Sequence, residues 1–150
     1  MKHLKKGFTL IELLVVIGIL AVLLAITLIA INPQRQFSQS NNTKRSSDVN
    51  AILNAIGQYA ADHAGNLPAG IPVAPSAAAT VSKAGADLCS ALVPQYIAAL
   101  PGDPKAGVLT PVTDCTTAYD TQYSVIQAAS NRVTVTSLQP ELGATIQVTR

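Results

Sequence analysis

The distribution of apolar residues divides the chain into one long continuous apolar stretch and a more mixed remainder. From residue 8 to residue 31, 20 of 24 residues are apolar, and the exceptions are Thr9, Glu12, Gly18 and Thr27. A helix over this stretch rises about 1.5 Å per residue and spans about 36 Å, which exceeds the ~30 Å hydrocarbon core of a bilayer. The pattern therefore predicts a membrane-spanning helix over residues 8–31.

The flanking residues indicate the orientation of this span and distinguish it from a secretory signal peptide. Lys2, Lys5 and Lys6 precede the span and no lysine lies inside it, which places the N-terminus in the cytosol and the rest of the chain outside. A signal peptide has an apolar region of about 7–15 residues, with an A-x-A-like cleavage site after it. The apolar stretch here is longer, and the Ala-Ile-Asn-Pro sequence after Ile29 matches such a site poorly.

A break and then an amphipathic helix are predicted after the span. Pro33 removes a helical hydrogen bond, and residues 34–47 are polar and rich in Ser and Asn, which predicts a weak helix or a loop. Helical periodicity then returns, with Ser47 or Asp48 as the cap of its start and Gly65 after its end. Its apolar face, which must pack on the downstream residues, consists of Val49, Ile52, Leu53, Ile56, Tyr59 and Ala60.

The remaining residues, 65–150, predict a small head with an antiparallel sheet. Residues 65–87 are rich in Ala, Gly and Pro and are interpreted as a weakly ordered connection, before a short helix from about Asp87 to Val93. Three segments rich in Val, Ile, Thr and Tyr follow, and turn formers separate them. They predict a meander of three short strands, Gln122–Gln127, Arg132–Ser137 and Ala144–Thr149, and hence an α+β fold.

Charge and composition narrow the classes of function. The net charge of +2 comes from the three leader lysines, because the rest of the chain has seven basic and eight acidic residues, and this argues against a nucleic-acid partner. From Asn32 onward 51 of 119 residues are apolar and 20 of these are Ala, so one small core is expected. His3 and His63 stand alone, and we find no catalytic order of residues, metal cluster or phosphate loop. No enzymatic activity is therefore predicted.

Glu12 is an acidic residue inside the apolar span. A charge at the middle of a membrane helix costs about 2.5–3.5 kcal/mol, but Glu12 lies only about 6 Å beyond Phe8, so its cost in the bilayer is lower. In a dry bundle of helices its carboxylate needs a cationic partner, and no side chain of the span supplies one. Cleavage between Gly7 and Phe8 would expose an α-amine on Phe8, which in a staggered assembly could meet Glu12 of a neighbouring copy.

The span also carries a strip of small residues at helical spacing. Gly18, Ala21 and Ala25 fall at i, i+3 and i+7, so that two helices could approach closely along this side. The span is therefore predicted to contact membrane lipid before assembly and other helices after it.

The segment Lys5-Lys-Gly-Phe-Thr-Leu-Ile-Glu-Leu-Leu-Val-Val16 strongly resembles the N-terminus of prepilins, the precursors of type IV pilins and of type II secretion pseudopilins. In that family a basic leader ending in Gly is cleaved on the cytosolic side, the new terminal Phe is N-methylated, and a Glu at the fifth mature position guides assembly. Gly7, Phe8 and Glu12 match these places, and residues 1–7 correspond to the leader. The implied partners are a prepilin peptidase and methylase, further copies of this chain, minor pilins and a membrane assembly platform.

The resemblance also implies a pilin-like fold, in which a long helix runs from Phe8 to about Ala64, with residues 32–64 as its kinked and amphipathic second half. The implied function is that of a structural subunit of a type IV pilus-like filament, with its head outside the cytoplasmic membrane. The alternative is a major pseudopilin of type II secretion, because the segment Tyr96–Lys105 resembles the "YL…LP.DP" segment of those proteins. A more distant alternative is a binding module tethered by a single span.

Two further features concern the predicted head. Cys89 and Cys115 lie beyond the span, and on the outer side of a membrane two cysteines are expected to form one disulfide; two unrelated buried thiols are the alternative. A disulfide favours a pilin over a pseudopilin. Asp103, Asp114 and Asp120 are weak candidate ligands for calcium, which pseudopilins often bind, but without tight D-x-D spacing solvated turn carboxylates are favoured. No cofactor is therefore predicted.

Overall fold

The computed structural model describes residues 7–105 and 111–150. They fall into two compact units, which we describe separately: an N-terminal unit that ends at Phe37 and a C-terminal unit from Ser38 to Arg150. The elements in chain order are α1 (Leu10–Ile31), α2 (Pro33–Asp62), β1 (Ala79–Ser82), α3 (Cys89–Leu92), β2 (Asp120–Gln127), β3 (Val133–Ser137) and β4 (Gln147–Thr149).

Helix α1 corresponds to the predicted span. It has 22 residues, none of them buried, and it is long and apolar enough to cross a membrane. Thr9 is its N-cap, and the helix ends at Asn32, whose φ of 46° lies in the left-handed region that commonly terminates helices. The start of α1 at Leu10 leaves Gly7–Thr9 outside the helix.

Residues 34–47, predicted to be a weak helix or a loop, are helical, because α2 begins at Pro33 and includes all of them. Proline is well suited to the first position of a helix, where its missing N–H has no intrahelical partner. The prediction that Ser47 or Asp48 caps a helix start was therefore wrong, since both lie inside α2. Several polar side chains of this segment bind the downstream chain, and such tertiary contacts override weak helix propensity.

The sheet of the C-terminal unit has four antiparallel strands in the order β1-β2-β3-β4. Three of them were predicted, although β4 is shorter than the segment Ala144–Thr149. Strand β1 was missed because it lies in the Ala-rich residues 65–87, and it pairs with β2 through Ala79 opposite Val125. The turn after β1 requires a glycine, since a Cβ on Gly85 would collide with the carbonyl oxygen of Thr80.

The core lies between one face of α2 and the inner face of the sheet. The predicted apolar face of α2 is largely confirmed: its first four members are buried, and Tyr59 and Ala60 are partly buried. Strand β3 alternates buried and half-buried residues, as expected for a sheet covered on one side. Helix α3 lies within the predicted short helix. The largest fully buried apolar side chains are Tyr123, Ile52, Ile56, Leu88, Leu92 and Leu100.

An N-terminal apolar helix and a small antiparallel sheet together give the α+β layout that the sequence predicted. This layout is consistent with a pilin fold.

Candidate functional site

The peptide bond between Gly7 and Phe8 lies in exposed backbone before α1. Residues 7–9 have no regular secondary structure, and Thr9 has extended backbone angles (φ −82°, ψ 154°). Phe8 is 80% exposed. An exposed segment without helical hydrogen bonds is the kind of backbone that a peptidase can bind and cut. The predicted cleavage position is therefore accessible in this conformation.

Glu12 folds back onto Thr9 at the start of α1. Its Oε2 accepts hydrogen bonds from the Thr9 N–H at 2.8 Å and from the Thr9 hydroxyl at 2.7 Å, while Thr9 Oγ1 accepts the Glu12 N–H at 3.3 Å. This reciprocal arrangement is a capping box, which satisfies backbone donors that the first helical turn leaves free. It also holds a negative charge at the positive end of the helix dipole, one turn from Phe8.

Among the residues that the structure describes, no cation lies within 4 Å of the Glu12 carboxylate. Within residues 7–105 and 111–150, the hydrogen bonds to this carboxylate come from Thr9 alone. The carboxylate therefore keeps the capacity to accept a further donor, such as an amine.

The small residues of α1 remain exposed in the single chain. A Cβ added to Gly18 would meet no atom within 4 Å, and Gly18 lies in a shallow apolar groove with Leu14, Val15 and Val22. Ala21 and Ala25 are on the same helix at the predicted spacing but do not line this groove. The role of the strip in helix packing stays a prediction.

A second polar constellation lies in the C-terminal unit, around the buried side chain of Arg45. Arg45 has no exposed surface, and its guanidinium donates to both carboxylate oxygens of Asp103 at 2.6 and 3.0 Å. The same guanidinium donates to Asn42 at 3.0 Å and to Glu141 at 2.9 Å. The hydrogen bond with Asp103 raises the pKa of Arg45 above its usual value. This network joins α2 to two distant loops.

Glu141, in the loop between β3 and β4, completes the network. Besides Arg45, its carboxylate accepts hydrogen bonds from Asn41 at 2.8 Å, Ser38 at 3.2 Å and Lys105 at 3.2 Å. The Arg45 guanidinium, and then Asn41, lower the pKa of Glu141 to about 2. The charge on Glu141 is therefore stabilised by donors of its own chain.

Asp48 carries a polar contact from α2 to the sheet. The hydroxyl of the buried Tyr123 donates to its carboxylate at 2.8 Å, and Lys44 donates to the same oxygen at 2.7 Å. Burial, together with the Asp48 contact, raises the pKa of Tyr123 above its usual range. The tyrosine hydroxyl is thus fixed as a donor inside the core.

Cys89 and Cys115 are joined by a disulfide, with their Cα atoms 5.3 Å apart. Tyr119 supports this region, because its hydroxyl accepts the Cys89 N–H at 3.2 Å and donates to Asp87 at 2.7 Å. Lys83 donates both to Asp87 and to the carbonyl oxygen of Cys115. These contacts tie the disulfide to the end of β1.

The three calcium candidates are not brought together. The structure corrects the interpretation of Asp103 as a solvated turn carboxylate or a calcium ligand. Its carboxylate is buried and accepts hydrogen bonds from Arg45 and from the Lys105 N–H. Asp114 accepts hydrogen bonds from Thr116, and these lower its pKa. Asp120 accepts the N–H of Gln122. Over residues 7–105 and 111–150, no group of three His, Cys, Asp or Glu side chains could hold a metal ion.

Sequence reasoning missed three residues of these sites. The Thr9-x-x-Glu12 spacing is itself the signature of a capping box, so the role of Thr9 was open to detection. Arg45 and Glu141 are 96 positions apart, and no local pattern links them. Asp103 was considered only as a weak calcium ligand, and the residues around it gave no sign of a buried ion pair.

Comparison with known families places the N-terminal segment in context. Residues 2–28 match the family described as "Prokaryotic N-terminal methylation motif", and this range contains Gly7, Phe8 and Glu12. No curated protein and no solved structure matches the chain. The matched motif supports a prepilin-like protein of the type IV pilin or pseudopilin kind.

Proposed function

We propose that this chain is the structural subunit of a type IV pilus-like filament, made as a prepilin, cleaved after Gly7 and methylated on Phe8. The observation that supports the proposal is the N-terminal methylation motif at residues 2–28. The predicted cleavage position, between Gly7 and Phe8, is in exposed, non-helical backbone in front of an apolar helix with no buried residue. The proposed partner in cleavage and methylation is a prepilin peptidase and methylase. The proposed partners in filament assembly are an assembly platform and minor pilins.

The apolar helix has two successive environments in this proposal. Before assembly α1 spans the cytoplasmic membrane, with the leader lysines in the cytosol and the C-terminal unit outside. After assembly the side chains of α1, which are exposed in the single chain, pack against other copies of the helix in the filament. The strip of Gly18, Ala21 and Ala25 allows close approach there.

Glu12 sets the register of the assembly. Processing places a charged amine on Phe8, and inside an apolar bundle a carboxylate and an amine each require a partner. Thr9 holds the Glu12 carboxylate at the start of the helix, in a position from which it can accept the amine of a neighbouring copy. A charge pair of this kind stabilises one stagger of the helices over others.

The alternative within the same family is a major pseudopilin, which forms a short secretion filament. The segment Tyr96–Lys105 favours this reading, whereas the disulfide between Cys89 and Cys115 favours a pilin. Electron microscopy of material sheared from the cell surface separates the two, since a pilus gives long fibres and a pseudopilus does not. A tethered binding module would give no filament at all.

The processing step is tested by mass spectrometry of the mature protein from its native host. The expected N-terminus is methylated Phe8, and a Gly7 variant that blocks the peptidase should retain Met1–Gly7. Intact Met1–Lys6 on the wild-type mature protein would overturn the proposal.

The assembly step is tested with Glu12→Val. This variant should insert in the membrane as the wild type does but form few or no filaments, because the partner of the Phe8 amine is gone. Thr27→Val is the matched control, since it also removes a polar group of α1 but leaves the charge pair intact. Normal filaments from Glu12→Val alone would contradict the proposed pairing.

A further inference from the structure

The loop between β3 and β4 exposes two large apolar side chains. Leu138 is 45% exposed and Leu142 is 57% exposed. Among the residues described from Ser38 onward, Val73 is the other exposed large apolar residue, at 50%, and its bridge to Gln127 puts it at the opposite end of β2. Leu138 lies near the start of β2, because its N–H donates to the carbonyl oxygen of Gln122.

Leu142 also has an unusual backbone conformation. Its φ of 57° lies in the left-handed region that favours Gly and Asn. The other described non-glycine residues with a positive φ are Asn, Gln and Ala, so Leu142 is the one with a large apolar side chain. Strain of this kind is retained mainly where a side chain must be presented in a particular place. A leucine that is both strained and exposed indicates a contact outside the unit.

Hydrogen bonds hold the loop against α2, so the fold fixes the positions of its two leucines. The side chain of Glu141 binds Arg45 and Asn41, and its backbone binds Asn42 twice: its N–H donates to the Asn42 side chain at 3.0 Å, and its carbonyl oxygen accepts from it at 2.8 Å. The exposure of Leu142, next to this anchor, is therefore not a consequence of a loose loop.

Chain connectivity indicates what covers the loop. Ser38 donates a hydrogen bond to Glu141, and it follows Ile31, the last residue of α1, by seven positions. Seven residues span at most about 25 Å even when fully extended, so the chain itself limits the distance between Ser38, which contacts the loop, and the end of α1. Lys105, whose side chain is 64% exposed and lies 3.2 Å from Glu141, adds a cation that suits lipid phosphates.

We propose that the β3–β4 loop, through Leu138 and Leu142, contacts lipid at the membrane surface while the chain is anchored and unassembled. This inference rests on the proposed insertion of α1 in the membrane. It assigns to the loop an interfacial role, in which apolar side chains enter the boundary between headgroups and acyl chains.

The chain contains no Trp, so a single introduced Trp reports its own surroundings. Full-length Leu142→Trp and Leu138→Trp are reconstituted in vesicles of phosphatidylethanolamine and phosphatidylglycerol, with and without brominated acyl chains. Val73→Trp is the matched exposed control, and Leu20→Trp reports insertion of α1. The loop variants should lose about half of their emission to the brominated lipid, because interfacial side chains reach about 5–10 Å into that boundary.

The controls separate the possible failures. Quenching of Leu20→Trp without quenching of either loop variant beyond the level of Val73→Trp overturns the lipid contact and leaves the proposed function standing. An unquenched Leu20→Trp overturns the membrane anchoring itself. Loop emission that is shifted to the blue, unquenched by lipid and dependent on the protein-to-lipid ratio means that a second copy covers the loop, which also overturns the inference. Leu138 has no positive φ, so its variant remains informative if Leu142→Trp does not fold.

Discussion

Glu12 in α1 and Glu141 in the C-terminal unit are both held by hydrogen bonds, but the sources of these bonds differ. In the part of the chain that the structure describes, Glu12 accepts hydrogen bonds from Thr9, three positions away, on a helix with no buried residue. Glu141 accepts from Ser38, Asn41, Arg45 and Lys105, which are distant in sequence. The hydrogen bonds to Glu12 form within one helical turn and do not depend on the tertiary fold. The hydrogen bonds to Glu141 form only when distant segments of the chain pack together.

This difference separates two uses of a buried or membrane-exposed charge. A charge that its own chain satisfies completely, such as that of Asp103 with Arg45, contributes to a unique fold and offers little to a partner. A charge satisfied only locally on a bare apolar helix remains available when that helix packs against another copy. The same physical requirement, a partner for each charge in a dry environment, stabilises one region internally and, under the proposed function, favours assembly of the other.

Arg45→Met is the variant with the largest expected effect on the internally paired charges of the C-terminal unit. Removal of the guanidinium leaves Asp103 charged and buried without its partner, and the free energy of unfolding of the C-terminal unit should fall by about 3–5 kcal/mol. Urea unfolding of the full chain in detergent micelles, followed by near-ultraviolet circular dichroism of the tyrosines, measures this loss.

Lys44→Met is the matched control for Arg45→Met, because Lys44 is the neighbouring cation and its side chain is 50% exposed. Its ion pair with Asp48 should contribute no more than about 1 kcal/mol. Equal losses for the two variants would mean that the buried network has no special role.

The disulfide provides the next test. Replacement of both cysteines, Cys89→Ser with Cys115→Ser, opens a loop of 26 positions and should lower the free energy of unfolding by about 3–4 kcal/mol in the loop-entropy model. The same unfolding experiment applies, and a reductant should reproduce the loss in the wild type but change nothing in the double variant. A loss of α1 helicity in the double variant would contradict the independence of the two regions.

Acid should weaken the C-terminal unit through Glu141. Its pKa is about 2 in the folded chain against an ordinary value of 4.5, because the folded state stabilises its charged form. The contribution of this group is therefore complete above pH 4.5 and is lost as the pH falls from 4.5 to about 2. Urea midpoints across this range should show a smaller pH dependence in Glu141→Gln than in the wild type, and identical pH profiles would refute the assignment.

The smallest expected effect is at the start of α1. Thr9→Val removes the cap and should destabilise the first turn of α1 by about 1 kcal/mol, which amide hydrogen exchange in micelles can detect. Thr27→Val is the control, since the Thr27 hydroxyl donates to the Leu24 carbonyl oxygen inside the helix and lies far from the first turn. Faster exchange in the first turn for Thr27→Val as well would argue against a capping role specific to Thr9.

Much of the fold was predictable because local patterns report it. The apolar face of α2 follows from its helical spacing, and β2 and β3 follow from their content of Val, Ile, Thr and Tyr. Strand β1 was not predicted, since its two β-branched residues, Thr80 and Val81, lie in an Ala-rich segment and its pairing with β2 joins residues more than 35 positions apart. The helical state of residues 34–47 was likewise undecided, because contacts such as Asn42 with Glu141 stabilise it from across the chain.

The sequence by itself determined the long apolar helix, the N-terminal methylation motif and the position of Glu12, since each depends on residues close together along the chain. Only the tertiary structure decided which charges are internally paired. The contact of Arg45 with Asp103 and Glu141 arises when three remote segments fold onto one another, and a side chain 58 or 96 positions away leaves no local signature. The exposure and strain of Leu142 belong to the same class, because both depend on how the loop is anchored to α2.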